Sequence, residues 1–102
     1  MKRERKIFSG RSNPELAKKI ANSADCELGD ISIKTFSDGE IWVKYEENIR
    51  GQDVFIIQST NGPSENIIEL ALMTDAAVRA SASTVNVIMP VSYTHLTLPT
   101  KA

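Results

Sequence analysis

The stretch Asp53–Pro90, DVFIIQSTNGPSENIIELALMTDAAVRASASTVNVIMP, decides the fold. Its opening, DVFIIQS (Asp53–Ser59), is a nearly continuous apolar run, as expected of a strand covered on both faces. Its close, TVNVIMP (Thr84–Pro90), reads as a second interior-type strand. Between them IIELALMTDAAVRA (Ile67–Ala80) is apolar on most of its circumference, which predicts a well-buried helix. Asn66, with Glu69 three residues on, resembles a capping box at the start of that helix. Strand, helix and strand in this order predict a right-handed crossover and a parallel pair.

Upstream, Lys6–Ser9 reads as a short strand and SNPELAKKIAN as a helix. There Asn13 can accept a first-turn N–H, and Pro14 suits the first helical position, where a missing donor costs nothing. Leu16 and Ile20, four apart, give the helix an apolar face that Ala17 and Ala21 widen. ISIKTF (Ile31–Phe36) and IWVKY (Ile41–Tyr45) alternate, with only SDGE between them, and predict an antiparallel hairpin. The fold class is therefore α/β, a parallel sheet with flanking helices plus a β-hairpin. Two interior-type strands and an all-round apolar helix need more layers than residues 1–90 supply, so the domain reads as incomplete. Expressed alone, it would expose apolar strand and helix faces and aggregate.

At 102 residues the chain allows one domain, and 41% hydrophobic with 25% charged residues is ordinary for a globular protein. A net charge of -1 gives no reason to expect nucleic acid or an anionic membrane as partner. The start, MKRERKIF, lacks the apolar core of a secretory signal, and no run is long enough to cross a membrane. The single cysteine, Cys26, suits a reducing cytoplasm. Its acidic surroundings argue against a nucleophile. With one Cys and one His, no zinc-ligand spacing exists.

Four stretches could carry chemistry. In TFSDGE, Gly39 and Asp38 are ordinary turn residues. The same tip also projects Phe36, Asp38 and Glu40, a ring that can stack on a purine and carboxylates that can accept from an amine. In EENIRGQD, Arg50 could bind an anion through its planar fork, or simply be solvated. STNGPSEN and RASAST border the buried helix. Each is a cap or a hydroxyl-lined anion site, and neither has the spacing or lysine of a phosphate-binding P-loop.

Taken in order, KIFSG, NPELAKKIA, FSDGE, ENIRGQDVFIIQST, ENIIELALMTDAAVRASA and VNVIMP resemble the start of ribose-phosphate pyrophosphokinases. The resemblance runs from Lys6 to Pro90 and implies an incomplete N-terminal phosphoribosyltransferase-like domain. It implies ATP and ribose 5-phosphate as substrates, Mg2+ as cofactor, and a cytoplasmic homo-oligomer, a hexamer built from dimers. It also implies that Phe36 stacks on the adenine of a neighbouring subunit's ATP while Asp38, Gly39 and Glu40 add polar contacts. Arg50 and Ser81 would line a regulatory phosphate or ADP site. The family's catalytic and metal-binding stretches follow the strand that ends at Pro90 and have no counterpart here, so this chain is expected to be inactive, with no catalytic or metal residue of its own.

VSYTHLTLPTKA (Val91–Ala102) reads instead as the in-frame translation of a transposon-end sequencing adapter. Residues 91–102 are therefore expected to be a non-native tail, and the only histidine, His95, to have no role. An alternative is a non-catalytic regulatory relative that binds the synthetase. A further one is an unrelated nucleotide-binding α/β module.

Overall fold

The computed structural model describes residues 4–59 and 64–89. Strand β4 (Asp53–Ile57) is the middle of a three-stranded parallel sheet, with β1 (Arg5–Ser9) on one side and β5 (Thr84–Ile88) on the other. Its apolar run is explained by that place: Val54, Ile56 and Ile57 are buried. Register runs Lys6 to Val54 and Val54 to Val85 across the three strands. The parallel pair expected from the strand–helix–strand order is present.

Helix α1 (Pro14–Ser23) lies against one face of the sheet, packing Ala17 and Ala21 on Ile7 and Ile57. The Asn13 side chain accepts from the Leu16 N–H at 3.1 Å, and Pro14 opens the helix as read from the sequence. The alanines, rather than Leu16 and Ile20, are fully buried. Small side chains let the helix approach closely, which turns the bulkier residues to its flanks.

The other face carries α2 (Glu65–Arg79) and the antiparallel hairpin of β2 (Ile31–Thr35) and β3 (Ile41–Tyr45). Phe8, Val54, Ile56, Ile49, Met73 and Ala77 form this second core, covered by Ile31, Ile33, Val43 and Tyr45 of the hairpin. The Tyr45 ring meets Phe8 edge-on at 4.7 Å, and its hydroxyl donates to the Met73 carbonyl at 2.8 Å. Burial pushes the Tyr45 pKa well above the usual tyrosine range.

Three expectations are corrected. Asn66 is not a cap and forms no box with Glu69: α2 begins at Glu65 after Ser64, without a side-chain cap bond, and Glu69 turns inward to other partners. Nor is α2 well buried. Only Glu69, Met73 and Ala77 are enclosed, while Ile67, Ile68 and Val78 are 54%, 51% and 60% exposed. Likewise β5 is not an interior strand, since Val87 and Met89 are open. A helix has one face toward a single sheet, and among the described residues nothing lies against its opposite face or beyond β5.

Candidate functional site

The hairpin turn is built by the backbone. The Phe36 N–H donates to the Glu40 carbonyl and the Gly39 N–H to the Phe36 carbonyl, both at 2.8 Å. Asp38 Oδ1 accepts from the Glu40 N–H at 3.1 Å. Gly39 has φ 89°, a left-handed conformation that a side chain would strain, although the space around it is open. Thus Asp38 and Gly39 are turn residues, as their spacing suggests. The same turn leaves the Phe36 ring 50% exposed and the Glu40 carboxylate without a partner among the described residues. Such a tip can stack on a flat ring and accept hydrogen bonds.

Behind the tip lies a polar network that the sequence did not reveal. Glu69 is 3% exposed and Gln58 1% exposed. Glu69 accepts from the Arg11 N–H at 2.7 Å, Arg11 Nε at 2.8 Å and Gln58 Nε2 at 3.1 Å. Gln58 Oε1 in turn accepts from the Ser12 hydroxyl at 2.7 Å. Gly10 must lack a side chain, because a Cβ there would lie 2.0 Å from Gln58 Oε1. Every buried side-chain N or O among the described residues has a partner. The network closes the carboxyl ends of β1 and β4, the end of a parallel sheet where α/β folds place ligands. A cleft of ≈ 340 Å³ lined by Arg11, Thr35, Glu65, Asn66 and Glu69 opens there, beside the hairpin tip.

Arg50 and Ser81 come together at the opposite end of the sheet. The Gly51 N–H donates to the Ser81 carbonyl at 2.9 Å, and the Ser83 N–H to the Gln52 carbonyl at 2.7 Å. The Arg50 N–H donates to Asn48 Oδ1 at 3.1 Å, while its guanidinium has no partner among the described residues. Ser81 also closes α2, as the residue after its C-cap Ala80. Its N–H reaches the Val78 carbonyl at 3.0 Å, the Ala82 N–H reaches that of Ala77 at 3.2 Å, and Ser81 sits at φ 66°. That is the Schellman arrangement with a serine where glycine is usual. Helix α1 ends the same way with Asp25 at φ 58°.

Near this end Asp30 and Lys6 hold Glu47. The Asp30 N–H at 2.6 Å, then Lys6 Nζ at 3.0 Å, keep its carboxyl below the usual range, and the same contact holds the Lys6 ammonium above its own. Cys26 is half-buried and free. No group of three or more His, Cys, Asp and Glu residues that could hold a metal occurs among the described residues. There, too, no helix is long and apolar enough to cross a membrane. His95 and the rest of the tail lie outside the described residues.

Comparison with known proteins places this arrangement. The family model for the N-terminal domain of ribose phosphate pyrophosphokinase matches residues 5–95. A ribose-phosphate pyrophosphokinase of Fusobacterium nucleatum is 56% identical over 86 residues, covering 83% of this chain and 27% of that protein. One of Bacillus subtilis is 55% identical with the same coverage. The crystal structure of phosphoribosylpyrophosphate synthetase from Mycobacterium smegmatis superposes with a TM-score of 0.83 at 35% identity, over 86% of this chain and 30% of that one. The chain thus spans about a quarter of the length of the curated relatives it matches.

Proposed function

The chain belongs to the ribose-phosphate pyrophosphokinase family, and on that premise we propose that it is the N-terminal portion of an ATP-dependent diphosphotransferase. The complete enzyme moves the diphosphoryl group of ATP to ribose 5-phosphate, for nucleotide biosynthesis in the cytoplasm. It acts as a homo-oligomer, a hexamer built from dimers. One observation carries the reading of the site: the tip turns Phe36 and Glu40 outward, away from any partner among the described residues. A loop that is closed by its own backbone and yet leaves a ring and a carboxylate unused suits a ligand held by another subunit. Adenine of that neighbour's ATP stacks on Phe36, and Asp38, Gly39 and Glu40 supply the polar contacts. Arg50 and Ser81 contribute to a regulatory phosphate or ADP site.

Magnesium is the cofactor that family membership suggests, yet the described residues offer no ligand cluster that fits it. In the family the metal-binding stretch follows the strand that ends at Pro90, and none of the described side chains takes that role. Phosphoryl transfer needs cations at the transferring oxygens, so this portion alone has no activity. Residues 1–90 are the family-derived part and 91–102 the adapter-like tail, although the family model's match runs on to His95. Resequencing the locus across the Pro90 codon decides that boundary: a genome that encodes SYTHLTLPT there removes the adapter assignment.

A chimera tests the site, with residues 5–89 replacing the matching segment of the Bacillus subtilis relative. Phe36→Ala should raise KM for ATP about tenfold, the worth of a base–aromatic stack. Glu40→Ala should raise it less, and KM for ribose 5-phosphate should stay unchanged in both. Unaltered ATP affinity in both variants would remove the tip from the site.

A further inference from the structure

The hairpin tip is tied to the body of the domain by one arginine. Arg11, in the turn after β1, donates from Nη2 to Thr35 Oγ1 at 2.7 Å, and Thr35 is the residue immediately before Phe36. The inner edge of the guanidinium and the Arg11 N–H are both fixed on Glu69, at 2.8 and 2.7 Å. Glu69 is itself buried on α2 and shared with Gln58. The planar fork therefore has one edge clamped by a buried carboxylate and the other edge on the hairpin. The hairpin's other polar anchors lie away from the tip, at Tyr45 on Met73 and, just past β3, at Glu47 on Lys6 of β1. Among the described residues no other side-chain hydrogen bond or ion pair links Thr35 or the tip to the sheet or to α2.

We propose that Arg11 is a positioning residue that sets the pose of the Phe36 ring through Thr35, and so tunes affinity for a nucleotide it does not touch. The inference rests on the tip reading given above. A lysine could keep the charge beside Glu69, but a single ammonium cannot hold both partners in the same geometry.

Thr35 gives the sharper test, because it leaves the Arg11–Glu69 pair intact. In the chimera, Thr35→Val removes the acceptor at nearly constant shape, and Thr35→Ser retains it. Hydrogen exchange at the Phe36 and Gly39 amides, and KM for ATP, should each rise about three- to tenfold in Thr35→Val, the loss of one charge-assisted hydrogen bond at an exposed site. Thr35→Ser should match the parent, Arg11→Lys should follow Thr35→Val, and kcat and KM for ribose 5-phosphate should not move. A purely structural role for Thr35 predicts the reverse order, since valine suits a strand better than serine does. Unchanged tip exchange in Thr35→Val overturns the tether. Faster exchange with unchanged KM for ATP, while Phe36→Ala still raises it, overturns the positioning role alone. If Phe36→Ala is silent as well, the tip reading fails and takes this inference with it.

Discussion

The two candidate sites, at opposite ends of the parallel sheet, are held by different parts of the chain. At the amino end of β4, Arg50 and Ser81 are brought together by main-chain bonds, Gly51 to Ser81 and Ser83 to Gln52. At the carboxyl end, the hairpin tip is held through side chains, Thr35 to Arg11 to Glu69. Main-chain bonds do not depend on which side chain is present, so the first end leaves the Arg50 guanidinium and Ser81 hydroxyl available for chemistry. Side-chain bonds make the second end sensitive to every member of its network. The first end should therefore tolerate substitution structurally, and the second should not.

The strongest way to break the contrast is to remove the hub of the side-chain end. Glu69→Ala in the chimera should destabilise the hairpin and α2 by about 3 kcal/mol, measured by hydrogen exchange, because Arg11 and Gln58 lose a shared acceptor. A larger cost is not expected, since the Arg11 side chain is 44% exposed and can turn to water. Gly10→Ala comes next. Its Cβ would strike the buried Gln58 amide, and about 2 kcal/mol should be lost as Gln58 gives way.

At the main-chain end the sign should invert. Ser81→Gly relieves a left-handed serine and should raise stability by about 0.5–1 kcal/mol, while weakening any response to phosphate or ADP. A thermal melt paired with a phosphate titration checks both halves, and a stability loss would show that the hydroxyl holds the turn. The smallest effect concerns Glu47. Its carboxyl is held low, so its stabilisation is complete above the ordinary glutamate value of about 4.3 and drains as pH falls through the lowered one. Glu47→Gln should flatten that acid limb by about 0.3–0.5 kcal/mol in a pH series, as expected for a partly exposed pair. Lys6 is shifted upward, so its share persists below about 10.4 and is lost on the alkaline side.

Local features were legible in the residues. Asn13 with Pro14 announced a helix start, Asp38 with Gly39 announced a turn, and both bond as their chemistry requires. The apolar run of β4 announced a central strand. Glu69 shows where such reading stops. Three residues after Asn66 it looked like half of a cap, yet its partner Arg11 lies 58 positions away in sequence. Nothing in the spacing could have paired them. The burial of α2 failed for a related reason, since apolar composition says what could be covered and not what is present to cover it.

The sequence by itself thus determined the elements, their order, the α/β class and the exposed tip, because capping, turn geometry and apolar periodicity act over a few residues. Its family resemblance further singled out Phe36, Asp38, Gly39, Glu40, Arg50 and Ser81 before any coordinates. Only the tertiary structure decided that the turns of Arg50 and Ser81 are bonded to each other, that they stand at the opposite end from the tip, and that Arg11 ties the tip down. Those facts depend on parallel strands bringing distant turns side by side, and contacts across a sheet leave no period in the chain.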